Sequence, residues 1–210
     1  MIAIGIDIGG MSIKGAAVDS NGRVYEKFSM PFIKGEPGEE TIRKLADIVK
    51  EYITANGLEN KIAGIGLGSP GTLDVKNGIV NYANNLGWEN LHVADIFHEV
   101  LPYPVRLTND ANAATLGEAK FGAGKNYQNI IMLTLGTGVG GGIIIDGKLY
   151  EGNEGKGAEL CTGRKNQDSR TERQYRANGT GRSRGYLQPD RQARERSSGD
   201  LREGLGRSIA

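Results

Sequence analysis

The amino-acid sequence predicts an α/β protein of two similar domains, the second of which is truncated. Three observations support this prediction. Up to Leu67 the chain follows the order β-β-β-α-β, its opening strand–turn–strand unit recurs later, and residue usage changes abruptly after Leu160. Strands and helices that alternate in this way are typical of a sheet covered by helices.

Apolar runs bounded by turn residues predict three strands at the start of the chain, at residues 2–7, 12–18 and 23–29. Apolar residues at helical spacing then predict a helix over 39–56, with Gly57 as its stop signal. The run 62–67 alternates with glycine and suits a buried strand. These elements make up one complete β-β-β-α-β unit.

The middle of the chain is richer in glycine, asparagine and proline. We expect loops and short strands over 68–88, a helix over 93–100, a strand over 105–107 and a helix over 110–121. Asn109 or Asp110 is the N-cap of that last helix, since both residue types are favoured there. A strong β run, 129–135, follows.

This run restarts the pattern of the N-terminus. Residues 6–10 and 133–137 align at an offset of 127 (133 − 6), and each precedes a second apolar strand, 13–18 or 139–145. Two copies of one supersecondary unit imply two similar domains that face each other. The alternative is that glycine-rich hairpins recur by chance.

Both copies contain a glycine-rich turn suited to phosphate. Glycine lets backbone N–H groups approach a phosphate without Cβ clashes, and the two turns lie within residues 7–14 and 135–142. Neither is a dinucleotide fingerprint or a Walker loop, because the second turn returns into a strand and no Gly-Lys-Ser/Thr closes it. The pattern therefore indicates paired strand–turn–strand phosphate loops.

Eight short motifs in order extend this pattern over about three quarters of the chain: Asp7-Ile-Gly-Gly, Gly68-Ser-Pro-Gly71, Asn85-Leu-Gly-Trp88, Asn109-Asp-Ala-Asn112, Gly117-Glu118, Gly122-Ala-Gly124, Leu135-Gly-Thr-Gly-Val-Gly-Gly-Gly142 and Gly157-Ala-Glu159. Together they resemble the ROK sugar kinases of the actin and hexokinase superfamily. The resemblance implies an actin/hexokinase-like, ribonuclease-H-like fold. Residues 1–121 would form the first domain and 122–160 the start of the second.

The resemblance also implies a reaction and its cofactors. Intact members transfer the γ-phosphoryl group of ATP, with Mg²⁺, to the 6-hydroxyl of a hexose in carbohydrate metabolism, as glucokinases do at the start of glycolysis. Asp110 matches the catalytic base, although Asp is also a common N-cap. Asp7 matches the residue that holds the Mg²⁺ of the nucleotide, with a simple turn aspartate as the less favoured interpretation.

Further residues are carried over from the family motifs. Contacts to the sugar are implied for Gly71, Asn85, Asn109 and Glu159, and contacts to the nucleotide for Gly9, Gly10, Gly136, Thr137 and Gly138. A polyol needs such partners because each buried hydroxyl left unpaired costs roughly 1–3 kcal/mol. Trp88 could stack on a sugar face, but a single Trp is more often part of the core.

The resemblance stops after Leu160. The family continues with Gly-His and a cysteine cluster that binds structural zinc, whereas this chain has only Cys161, so zinc is not expected. A single cysteine also fits a reducing cytoplasm. No window approaches about 18 consecutive apolar residues, and Asp7 interrupts the opening apolar run at once. We therefore expect a cytoplasmic protein without a membrane partner.

The segment 161–210 differs in composition from the rest. It has 11 Arg, 1 Lys and 6 acids, a net of +6 (12 − 6), against −5 (14 − 19) for residues 1–160. With four scattered Leu and Ile residues it cannot bury enough apolar surface to offset its ordering entropy. A disordered or frame-shifted segment is one interpretation, and a basic tail for nucleic acid is the less favoured one.

The expected partner is thus a small hexose, with glucose as the first candidate, rather than nucleic acid. A ROK repressor would carry an N-terminal helix-turn-helix, whereas here the first strand begins at Ile2. The sequence leaves open which hexose is used, whether the chain forms a homo-oligomer, and whether it is active or a non-catalytic, sugar-binding fragment.

Overall fold

The computed structural model describes residues 1–135 and 139–152, all within one compact unit, Met1–Arg164. It contains eleven strands and three helices in these ranges. The strands are β1 Ile2–Ile8, β2 Ser12–Asp19, β3 Val24–Pro31, β4 Ile62–Ser69, β5 Thr72–Asp74, β6 Ile79–Ala83, β7 Trp88–His92, β8 Val105–Asn109, β9 Ile130–Leu135, β10 Val139–Ile145 and β11 Lys148–Leu149. The helices are α1 Gly38–Ala55, α2 Val93–Val100 and α3 Asp110–Phe121.

The main sheet has five strands in the order β3-β2-β1-β4-β8. The pairs β1–β2 and β2–β3 are antiparallel, while β1–β4 and β4–β8 are parallel. This is the predicted β-β-β-α-β unit with one further parallel strand. Because β1, β4 and β8 run the same way, their carboxyl ends meet at one edge, where Asp7 pairs with Gly68 and Ser69 pairs with Asn109.

The core lies on one face of this sheet. The residues of β1 alternate strictly, and its four isoleucines are all buried: Ile2, Ile4, Ile6 and Ile8. The apolar stripe of α1 packs on the same core, with Ile42, Leu45, Val49 and Ile53 fully or almost fully buried. Burying one such side chain stabilises the fold by about 1.5–3 kcal/mol, so this layer holds the edge with Asp7 rigid.

Two smaller antiparallel sheets complete the described part: β5-β6-β7 and β11-β10-β9. Helix α3 contacts β4 and β8 of the main sheet and also β9 and β10. It approaches β10 so closely that a Cβ on Gly142 would overlap the Thr115 hydroxyl and lie 2.7 Å from the Thr115 Cβ. The contacts of α3 therefore place the second strand–turn–strand unit opposite the first.

Most predicted elements are confirmed, with small shifts. Helices α2 and α3 begin and end at the expected residues, and Asn109 is the N-cap of α3. The single tryptophan, Trp88, is 2% exposed and packs against Phe32 in the core, which confirms the core interpretation over sugar stacking. In the described part of the chain, no helix is long and apolar enough to cross a membrane.

Candidate active site

A cleft of about 530 Å³ opens at the carboxyl edge of the main sheet. Four parts of the chain line it: Asp7, Ile8, Gly9 and Gly10 at the end of β1; Pro70 and Asn85 in loops; Asp110, Ala111 and Ala114 on α3; and Thr134, Leu135, Val139 and Gly140 on β9 and β10. Residues far apart in the sequence thus meet in one place, including both predicted carboxylates.

Asp7 lies at the end of β1, opposite Lys14 of β2 and Gly68 of β4. Partial burial raises the pKa of the Asp7 carboxyl, the neighbouring Asp110 raises it further, and Lys14 lowers it. Two carboxylates that repel each other in one cleft are costly without a cation. Lys14 faces Asp7 but contributes less than the burial and the repulsion.

Asp110 is the first residue of α3, and its neighbour caps the helix. The side-chain oxygen of Asn109 accepts hydrogen bonds from the N–H groups of Ala111 and Asn112, at 2.9 and 3.2 Å. The Asp110 carboxylate also accepts from the Ala111 N–H, at 2.8 Å, through Oδ1. Asn109 already accepts from the one N–H group that Asp110 reaches, that of Ala111, so capping alone does not account for Asp110 in the cleft.

The two glycines of the β1–β2 turn differ in whether their backbone N–H groups have a partner inside the turn. The Gly9 N–H donates to the Ser12 carbonyl oxygen at 3.2 Å. Gly10 is exposed, and a Cβ there would lie 3.8 Å from the Asn85 carbonyl oxygen. Gly10 is therefore better placed than Gly9 to offer an N–H to a phosphate.

The predicted sugar contacts Gly71 and Asn85 lie on adjoining loops. Gly71 has φ +100°, and a Cβ there would overlap the Tyr82 carbonyl oxygen, so this turn requires glycine. Its neighbour Pro70 lines the cleft. Asn85 is exposed at the cleft and precedes the buried Trp88, which anchors the loop. The remaining site predictions, Gly136, Thr137, Gly138, Glu159 and the lone Cys161, lie outside the described residues.

Sequence reasoning missed two lining residues outright, Ala114 and Thr134, and it assigned no individual role to Ala111, Val139 and Gly140, although these three lie in the predicted motifs. A signal for one of them was present in the repeat. At the offset of 127, Thr134 occupies the position in β9 that Asp7 occupies in β1. The second unit thus contributes a hydroxyl where the first contributes a carboxylate.

The donor set fits a magnesium ion bound together with a phosphate ligand. Among residues 1–135 and 139–152, no group of three or more His, Cys, Asp or Glu side chains could hold a metal ion. Mg²⁺ usually keeps several waters and binds through one or two carboxylates plus substrate phosphates. Asp7 and Asp110 supply two such carboxylates in one cleft.

The sheet order and the cleft between two strand–turn–strand units define an α/β protein of the actin/hexokinase-like fold. The sequence model of the ROK family matches residues 3–167, so the chain belongs to the ROK family. Among curated relatives, glucokinase from Thermotoga maritima is 39% identical over 158 residues, which are 75% of this chain and 49% of that protein. Glucokinase from Halalkalibacterium halodurans is 35% identical over 158 residues, which are 75% and 48% of the two chains.

The family also includes proteins of another function. A xylose repressor from Caldicellulosiruptor bescii is 36% identical over 159 residues, covering 75% of this chain and 40% of the repressor. Among solved structures, a ROK family glucokinase from Streptomyces griseus in complex with glucose and AMPPNP has a TM-score of 0.65 and 35% identity, covering 76% of this chain and 49% of that one. The ROK hexokinase from Thermus thermophilus has a TM-score of 0.67 and 34% identity, covering 76% of this chain and 52% of that one. The chain spans about half the length of the curated relatives it matches.

Replacing Asp7 by Asn should raise stability at neutral pH. The folded-state pKa of Asp7 lies above the ordinary value of 3.8, so the folded chain binds this proton more tightly than the unfolded chain does. Stability therefore falls as pH rises through that window, and Asn removes the charge responsible. In a domain of this size, 1 kcal/mol of stability shifts the melting temperature by about 2–4 °C. We expect the melting temperature of Asp7→Asn to rise by about 2–4 °C or less, because Asp7 stays partly solvated.

Thermal melts of the chain and of Asp7→Asn between pH 3 and pH 8 measure this effect. The difference should be largest at neutral pH and vanish below pH 3.8, the ordinary value for Asp. Asp47→Asn, an exposed substitution on α1, is the matched control. A melting temperature that falls in Asp7→Asn at pH 7 would show that the carboxylate stabilises the fold.

Proposed function

We propose that the described residues form the sugar-binding half, and part of the phosphate-binding half, of an ATP-dependent hexose kinase. The γ-phosphoryl group of ATP would go to the 6-hydroxyl of a hexose, with glucose as the first candidate. The observation that carries the proposal is the shared cleft of Asp7 and Asp110, with a glycine turn on one side and the β9–β10 unit on the other. Phosphoryl transfer needs a base, a held cation and phosphate donors in one place.

Asp110 acts as the general base in this proposal. It accepts the proton of the 6-hydroxyl as that oxygen bonds to the γ-phosphorus, while the bond from the γ-phosphorus to the β–γ bridging oxygen breaks and ADP leaves. Such a base contributes about 10²- to 10⁴-fold. Its backbone is fixed because Asn109 caps the helix through its amide oxygen. The N–H₂ group of the same amide is then left to donate to a sugar hydroxyl.

Asp7 and the turn that follows it receive the nucleotide. Asp7 would hold Mg²⁺, and the ion would supply positive charge against the ATP phosphates. The raised pKa of Asp7 fits this role, since a bound cation would favour the charged carboxylate. Gly10 offers a backbone N–H, and we assign the same task to Gly136, Thr137 and Gly138 in the second turn. Asn85, Gly71 and Glu159 complete the sugar contacts.

The relatives support a sugar ligand and leave its identity open. The S. griseus glucokinase was solved with glucose and AMPPNP, a nucleotide analogue, and the T. maritima relative is a glucokinase. A putative N-acetylmannosamine kinase from Listeria monocytogenes has 28% identity and a TM-score of 0.62. We propose glucose because the relatives from T. maritima and H. halodurans, at 39% and 35% identity, are both glucokinases, and a cytoplasmic location because ATP is the donor.

A second candidate is a non-catalytic ROK protein that binds sugar. The xylose repressor of C. bescii shares 36% identity with this chain, and the family motifs stop after Leu160. In this alternative the cleft binds a sugar without transferring phosphate, and the basic segment 161–210 would contact nucleic acid. This alternative does not explain why two carboxylates lie in the same cleft, so we favour a kinase function.

We expect the 210-residue chain itself to bind D-glucose weakly and to show no measurable glucose phosphorylation. Positioning errors of about 1 Å already cost on the order of 10²-fold, and the sugar contacts that follow Glu159 in the family are missing. Ligand-observed NMR with D-glucose, with L-glucose as control, tests binding, and Asn85→Ala should weaken it. A coupled assay at millimolar glucose and ATP tests turnover.

Two outcomes would contradict this proposal in different ways. Turnover near the enzyme median of about 10 s⁻¹ would show that residues 161–210 supply what the family motifs normally supply. An absence of D-glucose binding at every concentration, with the chain folded, would remove the sugar-binding half altogether.

A further inference from the structure

Strand β10 has two glycines on the face that helix α3 covers. Gly140 and Gly142 alternate along the strand, so they lie on the same side of the sheet. A Cβ on Gly142 would overlap the Thr115 hydroxyl and lie 2.7 Å from the Thr115 Cβ. A Cβ on Gly140 would lie 3.3 Å from the Ala111 Cβ. A glycine inside a strand often marks such a close approach of another backbone, so both glycines serve the contact with α3.

The spacing of these two contacts shows how α3 lies on β10. Ala111 and Thr115 are four residues apart on the helix, a rise of about 6 Å. Gly140 and Gly142 are two residues apart on the strand, a rise of roughly 6–7 Å. Because the two rises match, the helix runs along β10 in the same direction. The first turn of α3 therefore lies beside the start of β10.

Thr115 cannot easily turn away from an added side chain. It is fully buried, and its hydroxyl donates a hydrogen bond to the Ala111 carbonyl oxygen at 2.7 Å. Turning the hydroxyl aside would leave a buried polar group unpaired, which is costly. A Cβ on Gly142 would instead push α3 and β10 apart by about 1 Å, the shift that restores ordinary van der Waals contact.

The contact between α3 and β10 sets the width of the cleft. Gly10 and Asp110 line the cleft from the first unit, and Thr134 and Gly140 line it from the second. A Cβ on Gly140 would lie 2.6 Å from Thr134 Oγ1, so Gly140 also leaves this hydroxyl its place at the cleft. Residues 136–138, to which we assign phosphate contacts, connect β9 to β10 in the sequence. A shift of β10 away from α3 would therefore carry the second turn away from the first.

We propose that Gly140 and Gly142 are positioning residues for phosphate binding, with a role distinct from that of Gly136 and Gly138 in the turn itself. By letting α3 lie close to β10, they hold the second glycine turn at a distance from the first at which one polyphosphate contacts both. This proposal rests on the proposed function, since it takes both turns to be phosphate sites. It implies that the effect depends on ligand length, because a single phosphate needs only one turn.

Binding of two ligands to the full chain tests the proposal: magnesium tripolyphosphate, which can contact both turns, and inorganic phosphate, which needs one. Gly142→Ala should weaken tripolyphosphate binding at least about tenfold, the cost of losing one hydrogen bond to a charged group, and leave inorganic phosphate affinity within about twofold. Phosphorus NMR titrations measure both affinities. Gly66→Ala on β4 is the matched control, because an added Cβ meets no atom of the described residues within 4 Å. It should bind both ligands as the unchanged chain does.

A second substitution tests whether the overlap with Thr115 causes the loss. Thr115→Gly in the Gly142→Ala background moves the Cβ from the helix to the strand, so tripolyphosphate affinity should largely recover. This recovery also decides the question if inorganic phosphate binds too weakly to measure. Circular dichroism shows whether each variant folds, and Gly140→Ala is the alternative single variant if Gly142→Ala does not.

Three outcomes would overturn the positioning role alone. They are unchanged tripolyphosphate binding in a folded Gly142→Ala or Gly140→Ala variant, an equal loss of both ligands, and a folded double variant that recovers nothing. A folded, unchanged chain that binds neither ligand would instead remove the phosphate-binding part of the proposed function, and the positioning role with it.

Discussion

Replacing Asp110 by Asn in a completed enzyme should lower kcat for glucose phosphorylation by about 10²- to 10⁴-fold and leave glucose affinity nearly unchanged. The completed enzyme is a chimera in which residues 1–152 precede the second half of T. maritima glucokinase. That glucokinase is 39% identical to this chain over the 158 residues that the two share. Asparagine preserves the shape of Asp110 but cannot take the hydroxyl proton. The loss should therefore appear in kcat rather than in binding.

Steady-state kinetics and a glucose-binding isotherm on the same samples separate these two effects. Asp47→Asn, on the exposed side of α1, is the control that removes a carboxylate elsewhere. Asn109→Ala makes a useful contrast, since it removes the N-cap and a proposed sugar donor and should raise KM. A nearly normal kcat in Asp110→Asn would end the assignment of Asp110 as the base.

Replacing Gly71 by Ala should destabilise the chain more than alanine at Gly87 or at Gly5 does. Gly71 has φ +100°, where an L-residue is strained by about 1–2 kcal/mol. The added Cβ would also overlap the Tyr82 carbonyl oxygen and lie 2.9 Å from the Ala83 Cα. Such overpacking against backbone costs about 1–3 kcal/mol, so we expect a total of roughly 2–5 kcal/mol.

Chemical denaturation of alanine variants at two other glycines separates the cost of backbone strain from the cost of the overlapping Cβ. Gly87 has φ +71°, but an added Cβ would meet no atom within 4 Å, so Gly87→Ala should show the strain alone. Gly5→Ala meets neither condition and should be nearly neutral. If Gly71→Ala is no worse than Gly87→Ala, the turn at Gly71 moves freely and the close approach to Tyr82 is not important.

Most of the fold follows from local patterns in the sequence. The strict alternation of β1 and the helical spacing of Ile42, Leu45 and Val49 each have a single period, so the sequence predicts their positions to within a few residues. Some predicted strands end too early, because the last residue of the strand is set by its pairing with a neighbouring strand. Ile8 joins β1 because it pairs with Ile13, and Asn109 joins β8 because it pairs with Ser69.

The sequence predicts the β5-β6-β7 sheet only as loops with short strands. Exposed polar residues interrupt its alternation, as at Asn81 and Glu89, and its strands are three to five residues long. Its stability comes from packing of Val80, Leu91 and Trp88 into the shared core. That long-range contact has no local signal.

The candidate site also has a part that the sequence predicts and a part that it does not. The first wall of the cleft, with Asp7, Gly10, Asn85 and Asp110, is predictable because each residue lies in a motif at a strand end, in a loop or at a helix start. The opposite wall, with Thr134 and Gly140, depends on how α3 positions β9 and β10, which no local pattern encodes. The roles of all these residues remain proposals.

The chimera itself tests the central claim most directly. If residues 1–152 carry the sugar-binding and base-supplying half of a ROK hexose kinase, then joining them to the second half of T. maritima glucokinase should restore ATP-dependent glucose phosphorylation, with turnover on the order of the enzyme median, about 10 s⁻¹. A chimera that folds, as judged by circular dichroism and a cooperative melt, and binds ATP but phosphorylates no hexose would contradict this claim.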